Sequence, residues 1–212
     1  PNYAEAENNL GIALTRSGRP GDAIAHLARA VQLQPRYAGA HNNLGIALMT
    51  VGRRDDALEH FAAALKWKPE YPGAHFNLGL ALARAGRPAD AIGHFREAVR
   101  QKPDYAEAEV NWGIALTEVN LVREALAHFE RALQLRPGYA EAHFAFGRAL
   151  ATIGRYDDAI SYLSRALEIN PRYVEAHATL AVVFRKTGRM DQAEQHLSAA
   201  LRLGWDSGAS RD

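Results

Sequence analysis

Pro1, Pro35, Pro69, Pro103, Pro137 and Pro171 stand 34 residues apart without a slip, and Tyr3, Tyr37, Tyr71, Tyr105, Tyr139 and Tyr173 follow each at the same offset. A fixed period of this size means stacked supersecondary units that bury their apolar faces on one another. The repeats run 1–34, 35–68, 69–102, 103–136, 137–170 and 171–204. They form one superhelical domain over 1–204, followed by a polar tail over 205–212 that reads as disordered.

Charge and composition narrow the function. With 25 basic and 24 acidic residues the net charge is +1, which gives no pull toward nucleic acid or an acidic membrane. There is no cysteine, so disulfides and thiolate metal sites are excluded. No apolar run approaches the ~20 residues of a membrane span and the N-terminus is not signal-like, so the expected location is cytoplasmic. The chain opens on proline rather than methionine, as an excised fragment or a processed N-terminus would.

One repeat shows the local logic. Ala6, Leu10, Ala13 and Leu14 recur at helical spacing, with Gly11 beside Leu10 where two helices can approach closely. Gly18 ends the first helix in a left-handed conformation. Asp22 opens the second as a capping carboxylate at the positive end of its dipole, a role shared by Asp56, Asp90 and Asp158. Ala23, Leu27, Ala30 and Val31 form the second stripe, and Pro35 stops it. The tyrosine after each proline is expected to wedge between repeats.

The columns resemble the tetratricopeptide repeat in all six units. Leu10-Gly11, Leu44-Gly45, Leu78-Gly79, Trp112-Gly113, Phe146-Gly147 and Leu180-Ala181 match its first pair. Ala23, Ala57, Ala91, Ala125, Ala159 and Ala193 match the second helix, then Leu27, Phe61, Phe95, Phe129, Leu163 and Leu197, then Ala30, Ala64, Ala98, Ala132, Ala166 and Ala200. The family's leading tryptophan is replaced by Glu7, His41, His75, Glu109, His143 and His177, as in bacterial members and in the repeat region of O-linked N-acetylglucosamine transferase. Repeat four has Asn120-Leu121 in place of the Gly-Arg turn, and asparagine also tolerates the left-handed region. The resemblance implies an all-α, right-handed α-solenoid of six helix-turn-helix repeats whose first helices line a concave groove. It also implies protein–protein interaction rather than catalysis.

The nine histidines fall in two columns: His41, His75, His143 and His177, and His26, His60, His94, His128 and His196. A catalytic or metal site is local, whereas these recur with the repeat, so they read as packing or surface residues. Phosphate loops, HExxH and GxSxG are absent. The expectation is no enzyme, no cofactor and no metal.

One stripe on the first helices is not explained by packing. Asn9, Asn43, Asn77 and Asn111 share a column that becomes Ala145 and Thr179. One turn on lie Ile12, Ile46, Leu80 and Ile114, then Arg148 and Val182. Asn8, Asn42, Phe76, Val110, Phe144 and Ala178 flank them. An asparagine amide pairs with a peptide N–H and C=O together. Helices packed about 8–10 Å apart would therefore set one rung for roughly every third residue of an extended ligand, which rises about 3.3 Å per residue. Such a ladder resembles the groove of O-linked N-acetylglucosamine transferase, though the asparagines also fit inherited consensus and neighbouring helices could shade the apolar column. The column that carries the leading lysine of co-chaperone carboxylate clamps contains none here. Charge is mixed, with Glu107, Glu118, Glu141 and Glu175 against Arg84, Arg148, Arg185 and Lys186. The reading is a non-catalytic module for extended protein or peptide segments. The alternatives are the substrate-recruiting arm of a larger enzyme, such as a glycosyltransferase, or a scaffold that self-associates end to end.

The ends differ. Ile24, Leu58, Ile92, Leu126 and Ile160 share a column that becomes Glu194, so repeat six reads as a terminal unit, with Leu201, Leu203 and Trp205 partly exposed. The N-terminal repeat lacks a matching polar face.

Overall fold

The computed structural model describes residues 3–205; Pro1, Asn2 and residues 206–212 of the expected tail lie outside them. Every described element is a helix, and the chain divides into two compact units, Pro1–Asp104 and Tyr105–Asp212. The first holds α1 (Tyr3–Arg16), α2 (Pro20–Leu33), α3 (Ala38–Thr50), α4 (Arg54–Trp67), α5 (Pro72–Arg84) and α6 (Pro88–Gln101). The second holds α7 (Ala106–Glu118), α8 (Val122–Leu135), α9 (Ala140–Thr152), α10 (Tyr156–Ile169), α11 (Val174–Lys186) and α12 (Met190–Arg202). Each unit is three antiparallel hairpins, so the chain has the helix-turn-helix repeat fold of an α-solenoid. No described helix is long and apolar enough to cross a membrane.

The turns form for the reason the glycine column suggests. Gly18 has φ +77°, its N–H donates to the Thr15 carbonyl, and the Arg19 N–H donates to the Leu14 carbonyl at 2.9 Å. That paired arrangement satisfies two of the carbonyls a helix end leaves free. In repeat four Asn120 takes the same conformation at φ 64°, with the Leu121 N–H on the Leu116 carbonyl at 2.8 Å.

The expected carboxylate caps are not made. The N-cap positions of α2, α4, α6 and α10 hold Arg19, Arg53, Arg87 and Arg155, none with a side-chain cap. Asp22, Asp56, Asp90 and Asp158 lie in the first turn and accept instead from those arginines, at 2.7, 2.6, 2.7 and 2.7 Å. The arginine reaches over the first turn and takes the oxygen a cap would use. These exposed pairs are worth at most about 1 kcal/mol each, while the acid still complements the helix dipole.

Inside each hairpin the first helix approaches the second at its glycine. A Cβ added to Gly45 would lie 2.6 Å from Phe61 Cε1, and the same contact recurs between Gly79 and Phe95 at 2.7 Å. Phe61, Phe95 and Phe129 are thereby among the most deeply buried side chains. Repeat six has Ala181 there, and its partner Leu197 is 39% exposed. Leu10, read as core, is 45% exposed, and Ala6 and Ala13 are exposed with it. Their counterparts Leu44 and Ala47 are buried because an earlier hairpin covers them, whereas no described element covers the outer face of α1.

Candidate functional site

In the first unit α1, α3 and α5 lie side by side and carry the asparagine stripe. Consecutive asparagines face different ways. Asn8 and Asn42 are 4% and 5% exposed, and each accepts through Oδ1 from the following repeat: Asn43 Nδ2 donates to Asn8 and Asn77 Nδ2 to Asn42, both at 2.9 Å. Asn8 and Asn42 are therefore supports beneath the surface, not contact residues. Asn43 and Asn77 are half-buried, each retaining a second amide hydrogen and its own oxygen for an outside partner. Asn9 is exposed, with only a long 3.5 Å contact from Asn8 Nδ2.

Two pockets of nearly equal size lie beside these rungs. One, of about 180 Å³, is lined by Ile12, Thr15, Arg16, Asn43 and Ile46. The other, of about 170 Å³, is lined by Ile46, Met49, Thr50, Phe61, Asn77, Leu80 and Arg84. They are related by one repeat, and Ile46 is a wall of both. The apolar column is thus partly shaded but open, and it meets the asparagines at the pocket rims. Arg16 and Arg84 belong to the last turns of α1 and α5, and neither forms an ion pair among the described residues. Phe76 packs toward its own hairpin core, its ring 6.2 Å from that of Phe95.

The second unit does not continue this pattern. Asn111 Nδ2 donates to the Glu107 carbonyl on its own helix at 2.8 Å, so it is not a rung of the same kind. Val110 is 2% exposed and unavailable for contact, while Ile114 is half-buried. Phe144 and Arg148 line a separate open pocket of about 580 Å³ with Tyr173, Glu175, Ala178, Thr179, Val182 and Trp205. The Phe144 and Tyr173 rings are 4.8 Å apart, and the Arg148 guanidinium lies 5.5 Å from the Phe144 centroid. Burial, and then Glu141 and Glu175, push the Tyr173 hydroxyl up to about 12. The sequence treated Tyr173 only as a wedge, one of a column repeated in every unit, and Trp205 as lying beyond the last repeat, so neither stood out as a pocket residue. Thr15, Arg16, Met49 and Thr50 were missed too, although their i+3/i+4 spacing from Ile12 and Ile46 was a usable signal.

The two histidine columns meet, always 19 residues apart. The pairs are His26 with Glu7 and His128 with Glu109, both at 2.7 Å, and His41–His60, His75–His94 and His177–His196, Nδ1 to Nδ1 at 3.1, 3.1 and 2.9 Å. His143 faces the Tyr162 ring. His41, His75 and His177 also donate through Nε2 to the carbonyls of Pro35, Pro69 and Pro171, which fixes their tautomer. Nδ1 then accepts, and the second-helix histidine donates. Burial first, then the facing ring, holds His60, His94 and His196 below the ordinary histidine value. These pairs staple each hairpin. Among the described residues no three metal-ligating side chains converge.

Family models described as tetratricopeptide repeat match residues 8–50, 42–106, 110–174 and 154–204. No curated protein sequence gives a significant match. Among solved structures, MamA is 26% identical with a TM-score of 0.67, over 76% of this chain and 94% of that one. PilW, described as a widely conserved type IV pilus biogenesis factor, is 20% identical with a TM-score of 0.87, over 96% and 95%. YrrB, described as a TPR protein with an unusual peptide-binding site, is 23% identical with a TM-score of 0.67, over 85% and 93%. With family matches running through nearly its whole length and the hairpin geometry in every repeat, the chain belongs to the tetratricopeptide repeat family.

Proposed function

We propose that this chain is a non-catalytic interaction module and that the first unit holds an extended polypeptide along α1, α3 and α5. The observation that carries this reading is the pair of repeat-related pockets, each with an asparagine at its rim whose free amide groups match a peptide backbone. The near-neutral charge favours polypeptide over nucleic acid. YrrB, of the same fold, is described as having a peptide-binding site. The test is selection of binders from a displayed random-peptide library, followed by calorimetry of the best peptide against wild type and Asn43→Ala/Asn77→Ala. Each asparagine offers about two hydrogen bonds of roughly 1 kcal/mol, so the double variant should bind at least tenfold more weakly with its helical content intact. Unchanged affinity would remove the ladder from the binding site.

A second reading rests on the ends. Leu10 on α1, and Met190, Leu197 and Leu201 on α12, are exposed apolar side chains on faces that adjoining repeats cover elsewhere. Such faces can pair between copies, head to tail. Sedimentation showing a monomer at every concentration up to the millimolar range would end this reading.

A further inference from the structure

The groove of the first unit has a period, and a ligand backbone must match it. The two pockets are one repeat apart and share Ile46, so side chains entering both must be separated by the spacing of adjacent packed helices, about 8–10 Å. A β-strand places same-face side chains about 6.6 Å or about 13 Å apart, because alternate residues point away. An α-helix brings residues i and i+7 about 10.5 Å apart, but its backbone donors and acceptors are already paired and leave nothing for Asn43 and Asn77. A polyproline II segment has three residues per turn and a rise of about 3.1 Å. It therefore returns a side chain to the same face every ~9.3 Å, and its backbone groups are all unpaired.

The charge at the rim is equally one-sided. Arg16 lines one pocket and Arg84 the other, with no carboxylate in either lining. Thr50 occupies the equivalent place on α3, so one edge of the groove reads basic, polar, basic. A threefold backbone whose first residue fills the pockets turns its second toward one edge at every turn.

We propose that the groove is shaped for a polyproline II segment with an aliphatic side chain at every third position and acidic residues next to them, facing Arg16 and Arg84. This deepens the peptide-binding reading and rests on it. One pocket takes one aliphatic side chain, the second amide hydrogen and the oxygen of Asn43 and Asn77 pair with the exposed ligand backbone, and Asn8 and Asn42 hold those amides in place.

The test uses three labelled, end-capped twelve-residue peptides and fluorescence anisotropy with the full chain. The first is four copies of Leu-Glu-Pro. The second has the same composition with its four leucines at alternate positions, and the third is four copies of Leu-Lys-Pro. The first should bind at least tenfold more tightly than either other. Exchanging Arg16→Glu/Arg84→Glu, two exposed positions, should reverse the preference between the acidic and basic peptides, and Ile46→Asp should abolish binding with the circular dichroism spectrum retained. Equal or tighter binding of the alternate-leucine peptide would overturn the threefold register while leaving the groove in place. An unchanged preference for the acidic peptide in the double arginine variant would overturn the acidic partner facing Arg16 and Arg84. No binding by any of the three, or binding that survives Ile46→Asp, would overturn both this inference and the reading beneath it.

Discussion

Asn43 Nδ2 donates to Asn8 Oδ1 at 2.9 Å across the boundary between the first two repeats, and Asn77 repeats the contact on Asn42 in the next. A half-buried amide is thus oriented by a buried one from the preceding repeat, which ties groove geometry to inter-repeat packing. Asn42→Ala leaves the inward amide hydrogen of Asn77 without its acceptor and removes a buried polar group. The cost should be about 1–3 kcal/mol in urea unfolding, with binding of a groove peptide weakened as well. A stability unchanged to within about 0.5 kcal/mol, the usual size of a surface effect, would show that the contact holds nothing.

Acid should loosen the hairpins. A free histidine titrates near 6.5, and the folded values of His60, His94 and His196 lie below that. Above about pH 6.5 neither state carries the protons, so the stabilisation is intact. As pH falls the unfolded chain takes them first, and stability is lost. A His–His pair keeps its hydrogen bond with one added proton but not with two. His60 also faces Glu59, Asp56 and Arg53, and His94 faces Asp90; the acids among them oppose the shift and Arg53 reinforces it. The urea midpoint should fall between pH 7 and pH 5. His41→Glu/His75→Glu/His177→Glu, which installs the pairing already present in repeats one and four, should flatten that fall.

In repeats two to four the glycine at the hairpin crossing is set by the phenylalanine ring opposite. In Gly45→Ala the new Cβ meets Phe61 at 2.6 Å, inside any tolerable contact. Overpacking of this kind costs about 1–3 kcal/mol, against which alanine's better helix propensity returns up to about 1 kcal/mol. Thermal unfolding should show a net loss, and adding Phe61→Leu, which reproduces the Ala181–Leu197 pair of repeat six, should recover part of it. A stabilised single variant would mean that the helices separate freely.

Asn120 is the one described non-glycine residue with positive φ. Asn120→Ala should cost about 1–2 kcal/mol, because alanine lacks the local hydrogen bonding that lets asparagine enter this region. Asn120→Gly should be neutral or slightly stabilising. Equal melting temperatures for the two variants would show that the turn does not depend on this conformation.

Much of the fold was legible because its signals are local. The glycine column, with Asn120 in repeat four, placed the left-handed turns, the proline column ended the second helices of the first five repeats, and the Leu-Gly pair marked the crossing opposite Phe61 or its equivalents. The caps were misread because a carboxylate in the first turn looks the same whether it bonds backbone N–H groups or, as at Asp22, an arginine three residues earlier. Within the candidate site the apolar column was found, but Asn8 and Asn42 were placed beside their neighbours rather than beneath them, and Val110 was not seen to be buried. The histidine columns were visible as columns only, although their constant 19-residue offset is the trace of a contact.

The sequence by itself determined the period, the six hairpins, the turn conformations and the alternation of small and large residues that lets the helices close on one another. All of these depend on a residue and its near neighbours along the chain. Only the tertiary structure decided which of two consecutive asparagines lies inside and which faces the groove, that two pockets share Ile46, and that the histidines pair. Successive residues on a helix point about 100° apart. Which of them meets a neighbour is set by the rotation of each helix against the next repeat, and that rotation is fixed by packing between hairpins rather than by any single one.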